Sequence, residues 1–358
     1  MQRIAGLRHV ATSLSQSVTA RLTRTPFQHR RYAFKFQPDS WQPSPEMVAG
    51  RVAKTEDKRN KRWQTIVIIF GTGLGLYSYL LYNAAIKPCD NPAVKELSGQ
   101  KDVSGQYDNT AGGFDSEVGI SEWFMGINTT RKELARKCTG HVLEVSCGTG
   151  RNLGYFDLGK KGKVDSLTFV DLSPQMIEVC KKKWDALFGN KQKTLKPTLV
   201  VRFLPGSAVG QMPLAPTDPP RKYDTIIQTM GVCSTPTPVE LLTNINQYLN
   251  VDNPDARVYL LEHGRSYKGW LNNILDSSAE KHAEKHGCWY NRDIGALVEE
   301  AAKQTGMEVV KERRYHWGTT WVFELKPGSD ASKKTSPILE KMEEKAEQKS
   351  RGWFGWTG

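Results

Sequence analysis

Apolar residues recur through residues 141–326 as short runs separated by longer amphipathic stretches. The short runs predict strands near 141–145, 166–171, 198–203, 223–229, 256–262, 307–315 and 318–325, and the stretches between them predict helices near 151–157, 174–187, 238–249 and 290–305. Such alternation implies an α/β domain with a mainly parallel sheet covered on both faces. Only two residues separate the last two runs, at Trp317, which permits a hairpin and not a parallel crossover. Upstream, Ile120–Lys137 reads as a helix leading into the first strand.

A different pattern fills residues 63–86, where no charged residue occurs between Arg62 and Lys87. The apolar centre, Thr65–Tyr82, is just long enough for a hydrocarbon layer that takes about 20 helical residues to cross. Trp63 at one edge and Tyr77, Tyr79 and Tyr82 toward the other are placed as interfacial aromatics. The expectation is one transmembrane helix, with a buried core helix as the alternative. Gly71 and Gly75 have the small-xxx-small spacing of helix-packing faces, so a homodimer through them is a candidate.

Charge refines this picture. Residues 1–62 hold 13 Lys/Arg and 4 Asp/Glu, so +9 of the net +12 lies there and +3 is spread over the other 296 residues. A chain whose basicity is confined to its leader is not marked as a nucleic-acid binder. The first acid is Asp39, preceded by Arg3, Arg8, Arg21, Arg24, Arg30, Arg31 and Lys35 among many Ser and Thr. That is the composition of a mitochondrial transit peptide, expected over 1–32 with processing near Ala33; a disordered basic tail is the alternative. Residues 33–62 read as a basic linker and 87–105 as a second linker rich in Pro, Gly and Ser. The cationic flank of Arg59, Lys61 and Arg62 puts the N-terminal side in the matrix and the large C-terminal domain, 106–327, in the intermembrane space, as a single-pass protein of the mitochondrial inner membrane. The six cysteines include no C-x-x-C pair, and His282 and His286 lack the Glu of an H-E-x-x-H motif, so no metal is expected.

The candidate chemistry centres on HVLEVSCGTGRN, residues 141–152. A buried strand ends near Glu144 and turns through Cys147-Gly148-Thr149-Gly150, where glycines let backbone amides approach a ligand. The next strand stops at Asp171, 21 residues after Gly150, where an acid in a doubly wound sheet faces the hydroxyls of a ribose. Gly148, Gly150 and Gly154 are one residue too long for the dinucleotide fingerprint, and Glu144 suits a cationic or amino-bearing ligand better than a diphosphate.

The string E-x-x-C-G-x-G-x-N, running from Glu144 through Cys147 to Asn152, resembles motif I of the class I S-adenosyl-L-methionine (AdoMet) methyltransferases. Leader, span and domain together resemble the fungal mitochondrial inner-membrane methyltransferases of the Oms type. The domain is also similar to animal membrane-associated thiol methyltransferases and, more distantly, to quinone-biosynthesis methyltransferases. The resemblance implies a Rossmann-like seven-stranded class I methyltransferase sheet with a C-terminal antiparallel hairpin, AdoMet as cofactor, and an inner-membrane anchor; it leaves the methyl acceptor undefined.

It also assigns expected roles. Gly148 and Gly150 would admit the methionine and ribose portions, Glu144 would accept from the ligand's amino group directly or through water, and Asp171 would accept both ribose hydroxyls. Leu172 and Met176 would pack on adenine or simply belong to the core. Ser207 stands where related enzymes often carry Asp for the adenine amino group, with Ala208 beside it. Gln228 and Thr229, closing the fourth strand, would line the ligand or make structural hydrogen bonds. His263, at the end of the fifth strand, is either a catalytic base toward an acceptor hydroxyl or thiol or a structural histidine. Tyr107-Asp108 and Phe114-Asp115 resemble a ligand-covering lid segment, with plain packing as the alternative. Trp270, Leu271, Ile274 and Leu275 give the insertion after the fifth strand an apolar face. Residues 328–358 form a charged tail ending in Trp353, Phe354 and Trp356, suited to headgroups or unstructured. The functional expectation is a membrane-anchored AdoMet-dependent methyltransferase acting on a small molecule, a lipid or quinone-like acceptor, or protein. The alternative is a catalytically silent relative that assists assembly of inner-membrane complexes.

Overall fold

A computed structural model describes residues 42–329 and residue 331. The leader over 1–32 and the aromatic tail therefore lie outside the described residues. The chain divides into two compact units, Met1–Ile69 and Phe70–Gly358. The first long element is helix α1, Pro45–Ile86. It is long and apolar enough to cross a membrane, by length and composition. The basic stretch read as linker is helical from Pro45 onward, because Ala, Glu, Lys and Arg favour helix and opposite charges pair at helical spacing, as in Lys61 with Asp57 at 2.8 Å.

The second unit carries the sheet. Its strands are β1 (Gly140–Val145), β2 (Val164–Asp171), β3 (Val200–Pro205), β4 (Thr225–Thr229), β5 (Arg257–His263), β6 (Met307–Tyr315) and β7 (Thr320–Pro327). They lie in the order β3-β2-β1-β4-β5-β7-β6. The first five are parallel, and β7 pairs antiparallel with both β5 and β6. The expected seven-stranded sheet with its C-terminal hairpin is thus the observed one. Helices α2 (Pro92–Lys95), α3 (Gln106–Thr110), α4 (Phe114–Phe124) and α5 (Ile127–Lys137) precede β1. Helices α6 (Pro174–Phe188), α7 (Pro238–Gln247), α8 (Gly269–His286) and α9 (Ile294–Thr305) follow between later strands.

Strand β1 shows why the sheet is two-sided. Leu143 and Val145 pack with α7 and α9 residues such as Leu241 and Val298, whereas Val142 packs with Leu134 of α5 and Ile177 and Cys180 of α6 on the other face. Successive side chains of a strand point to opposite faces, so a central parallel strand must be apolar on both. Ser173 caps α6 by accepting from the Met176 amide at 3.2 Å, with Pro174 in the first turn.

Three local expectations need correction. Ile120–Lys137 is not one helix: Gly126, at φ 66°, separates α4 from α5. Residues 151–157 hold only a 3-10 turn at Leu153–Tyr155, since the segment is short, contains Gly154, and draws the Asn152 side chain inward. Residues 87–105 are docked and not a free linker. Val94 and Val103 are buried, and the Trp289 indole donates to the Lys101 carbonyl at 3.0 Å.

Candidate active site

The cleft forms where β1, β2 and β4 end. Past Val145 the chain turns sharply, with Ser146, Gly148 and Gly150 all at positive φ (52°, 53° and 74°). A side chain at Gly150 would collide with Leu153 and the Cys180 thiol at 2.5 and 2.6 Å. A Cβ at Gly148 would meet nothing within 4 Å, so that position opens into the cleft.

Across the turn, Asp171 Oδ2 accepts from the Gly148 amide at 2.8 Å, and Oδ1 accepts from the Ser173 amide at 3.0 Å. Burial pushes the Asp171 carboxyl up, and these two amides oppose that shift. Each carboxylate oxygen keeps a second lone pair, so the group is held rigidly with acceptor capacity to spare. Around it the cleft encloses about 980 Å³ including its open mouth, lined by Cys147, Gly148, Leu172, Met176, Ser207, Ala208 and Thr229 among others. Leu172 is 58% exposed, an apolar surface left bare beside a carboxylate.

The opposite end of the cleft is charged. Arg131 Nη2 and Nε donate to the two oxygens of Glu122 at 2.9 and 3.2 Å, and Nη1 donates to Thr229 Oγ1 at 2.7 Å. Arg151 reaches the same Glu122 oxygen at 2.7 and 2.9 Å. Burial alone would raise the Glu122 carboxyl, but Arg131 and Arg151 hold it below the usual carboxylate range. Asp115 accepts from Thr149 at 2.6 Å and Arg151 at 3.1 Å, and also pairs with Lys183, which ties α4 and α6 to the turn. Over the cleft, Tyr107 and Phe114 meet edge to face with centroids 6.0 Å apart. The Tyr107 hydroxyl hydrogen-bonds Ser234 Oγ at 2.7 Å and donates to the Gly287 carbonyl at 3.1 Å.

Most expected site residues gather here, and four stand back from the wall. Glu144 is buried behind it: Oε1 accepts from Asn152 at 3.0 Å and Oε2 has no hydrogen-bond partner. Burial pushes its carboxyl up to about 8. Asn152 itself is buried and spans Glu144 and Thr229, at 3.1 Å from the latter. Gln228 is buried with neither amide atom partnered. His263 is outside the lining, with Nε2 buried and unpartnered and its ring pushed down by burial to about 4. A weakly basic, enclosed imidazole is poorly suited to collect a proton from an acceptor in the cleft.

Sequence patterning does not mark Glu122, Arg131 or Arg151 as site residues. One signal was available: the buried positions of α5 are Ile127, Arg131, Leu134 and Ala135. An arginine on the apolar stripe of an amphipathic helix needs a buried partner.

Residues 122–312 match the family profile of the methyltransferase domain. The curated relative Methyltransferase OMS1, mitochondrial, of Saccharomyces cerevisiae is 35% identical over 253 residues, which cover 68% of this chain and 50% of that protein. The chain thus spans about half the length of that relative. Among solved structures, a SAM-dependent methyltransferase from Leishmania major aligns at 18% identity over 66% of this chain and 85% of that one, with a TM-score of 0.43. Magnesium protoporphyrin IX methyltransferase from Synechocystis, solved with bound SAM, aligns at 11% identity over 70% and 91%, with a TM-score of 0.36. The family match extends over more than half of the chain and takes in the whole of β1 through β5 with the turn at the cleft, so this chain belongs to the methyltransferase-domain family.

Proposed function

We propose that the chain is an AdoMet-dependent methyltransferase held in the mitochondrial inner membrane by α1. The observation that carries this reading is the Asp171 carboxylate locked onto the Gly148 amide at the open side of the turn. The residues fit a nucleoside joined to an amino acid. Asp171 would take the ribose hydroxyls, and ionised acceptors make the stronger bonds. Leu172, Met176 and Ala208 offer apolar surface for a base, with Ser207 at its edge. The charged end, with Arg131 and Glu122, suits an amino-acid head group carrying both signs. Bound AdoMet would supply an activated methyl group on a sulfonium.

The chain's own contribution is then positioning and exclusion of water. Tyr107 and Phe114 cover the cleft, Gly148 keeps backbone close to the ligand, and Glu144 acts through Asn152 as a positioning residue. Methyl transfer to a nucleophilic acceptor needs alignment more than a base, so the withdrawn position of His263 is compatible with catalysis. The mitochondrial name of the curated relative and the apolar α1 support the address. The basic flank Arg59, Lys61 and Arg62 supports a matrix N-terminus, with the domain in the intermembrane space. Protease treatment of mitoplasts tests that orientation: degradation only after the inner membrane is opened would refute it. The enzymatic reading is tested by incubating mitochondrial membranes carrying wild-type protein or Asp171→Ala with methyl-labelled AdoMet. Label should enter a product only with the wild type. Full complementation of a deletion strain by the variant would favour the assembly-factor alternative.

A further inference from the structure

We infer that the carboxyl edge of the sheet rests on the phospholipid surface through an aromatic patch built around the end of α1. The inference rests on the anchor reading above and concerns only residues of the second unit. The last carbonyls of a helix lack partners within it. Here the Ala85 carbonyl accepts from the Asn273 side chain of α8 at 2.8 Å. One turn before Asn273, Trp270 is 46% exposed and meets Trp317, 62% exposed, edge to face at 5.9 Å. Tyr267, also exposed, carries Lys268 and Arg314 over its ring at 5.4 and 5.5 Å.

Topology puts more apolar surface on the same edge. His263, the last residue of β5, pairs with Thr320 at the start of β7. The hairpin turn bearing Trp317 therefore stands at the end of the sheet where the cleft opens. Helix α4 lines that cleft through Phe114 and Glu122. Its outward residues Ile120, Trp123 and Phe124 are 79%, 73% and 85% exposed. Scattered exposed apolar side chains are ordinary, but clustered ones mark an interaction surface.

The occupant follows from the end of the anchor. A helix leaving hydrocarbon at Ile86 brings whatever is bonded to Ala85 to headgroup depth. Tryptophan and tyrosine with nearby cations are the side chains that settle at that depth. The cleft would then face the bilayer, and an acceptor partitioned into lipid would reach it without crossing water.

The test uses the full chain reconstituted into phosphatidylcholine vesicles containing a minority of anionic lipid, with a nitroxide quencher on the acyl chain just below the headgroup. Trp270 and Trp317 emission should be quenched, and the W270S/W317S variant should lose that component while retaining AdoMet binding. An equal quenched fraction in wild type and variant would overturn the inference. So would quenching that disappears at one chain per vesicle, which would make the occupant a second copy. Flotation separates the two readings: a chain that does not float with vesicles fails the anchor, whereas one that floats with Trp270 and Trp317 unquenched fails only the docking.

Discussion

The amide of Gly148 lies 2.8 Å from Asp171 Oδ2, so the glycine turn and the acid of the next strand are joined by a direct hydrogen bond. Asp171→Ala removes the acceptor for that amide and, on the function proposed above, for both ribose hydroxyls. With charge-assisted bonds contributing about 1.5–3 kcal/mol each, AdoMet affinity should fall by roughly a hundredfold or more. Calorimetric titration of the two proteins checks this; affinities within a factor of three would remove Asp171 from the site.

Glu122 serves two arginines, so its loss should cost more than the loss of either. Removing one member of a buried ion pair costs on the order of 3–5 kcal/mol. Glu122→Ala should reach that range, whereas Arg131→Met should cost less, because Arg151 remains 2.7 Å from the carboxylate. Urea unfolding of both variants gives the ranking, and the reverse order would contradict the geometry.

Glu144 should make stability fall as pH rises. Its carboxyl is pushed up to about 8 in the folded chain from 4.5. A raised acid keeps its proton on folding, so the cost of burying it appears between these two values and is complete above the higher one. At about 1.36 kcal/mol per unit, the upper limit is on the order of 5 kcal/mol. Glu144→Gln keeps an acceptor for Asn152 and should flatten the decline. Melting curves from pH 5 to pH 9 check this, and parallel profiles for the two proteins would refute it.

Tyr107→Phe should loosen the cover of the cleft. It leaves the Gly287 carbonyl and the Ser234 hydroxyl without their partner, at a cost of about 1 kcal/mol. Amide exchange at residues 106–110 should accelerate, with AdoMet binding several-fold weaker. Unchanged exchange would mean the hydroxyl does not hold the segment down.

The sheet was legible because its central strands are short, mostly apolar runs bounded by turn residues, as Val142–Val145 and Ser166–Val170 illustrate. The Gly148–Asp171 half of the cleft was equally legible, since both residues sit at strand ends whose neighbourhood the parallel order fixes. The charged half was not. Glu122 and Arg131 lie on helices preceding the sheet, and the bond from Arg131 to Thr229, 98 positions beyond it, depends on how α5 packs. Which of its two readings holds for His263, and that Glu144 stands behind the cleft wall, is not legible for a related reason: sequence places both beside the site, but strand pleat decides whether a side chain faces the cleft or the layer behind it.

The most direct measurement is the heat of binding of AdoMet, and of its demethylated product, to the full chain in detergent, with NAD as comparator. Both sulfur nucleosides should bind saturably and one to one, and the dinucleotide should not bind. No heat with either sulfur nucleoside, or tighter binding of NAD, would contradict the AdoMet reading.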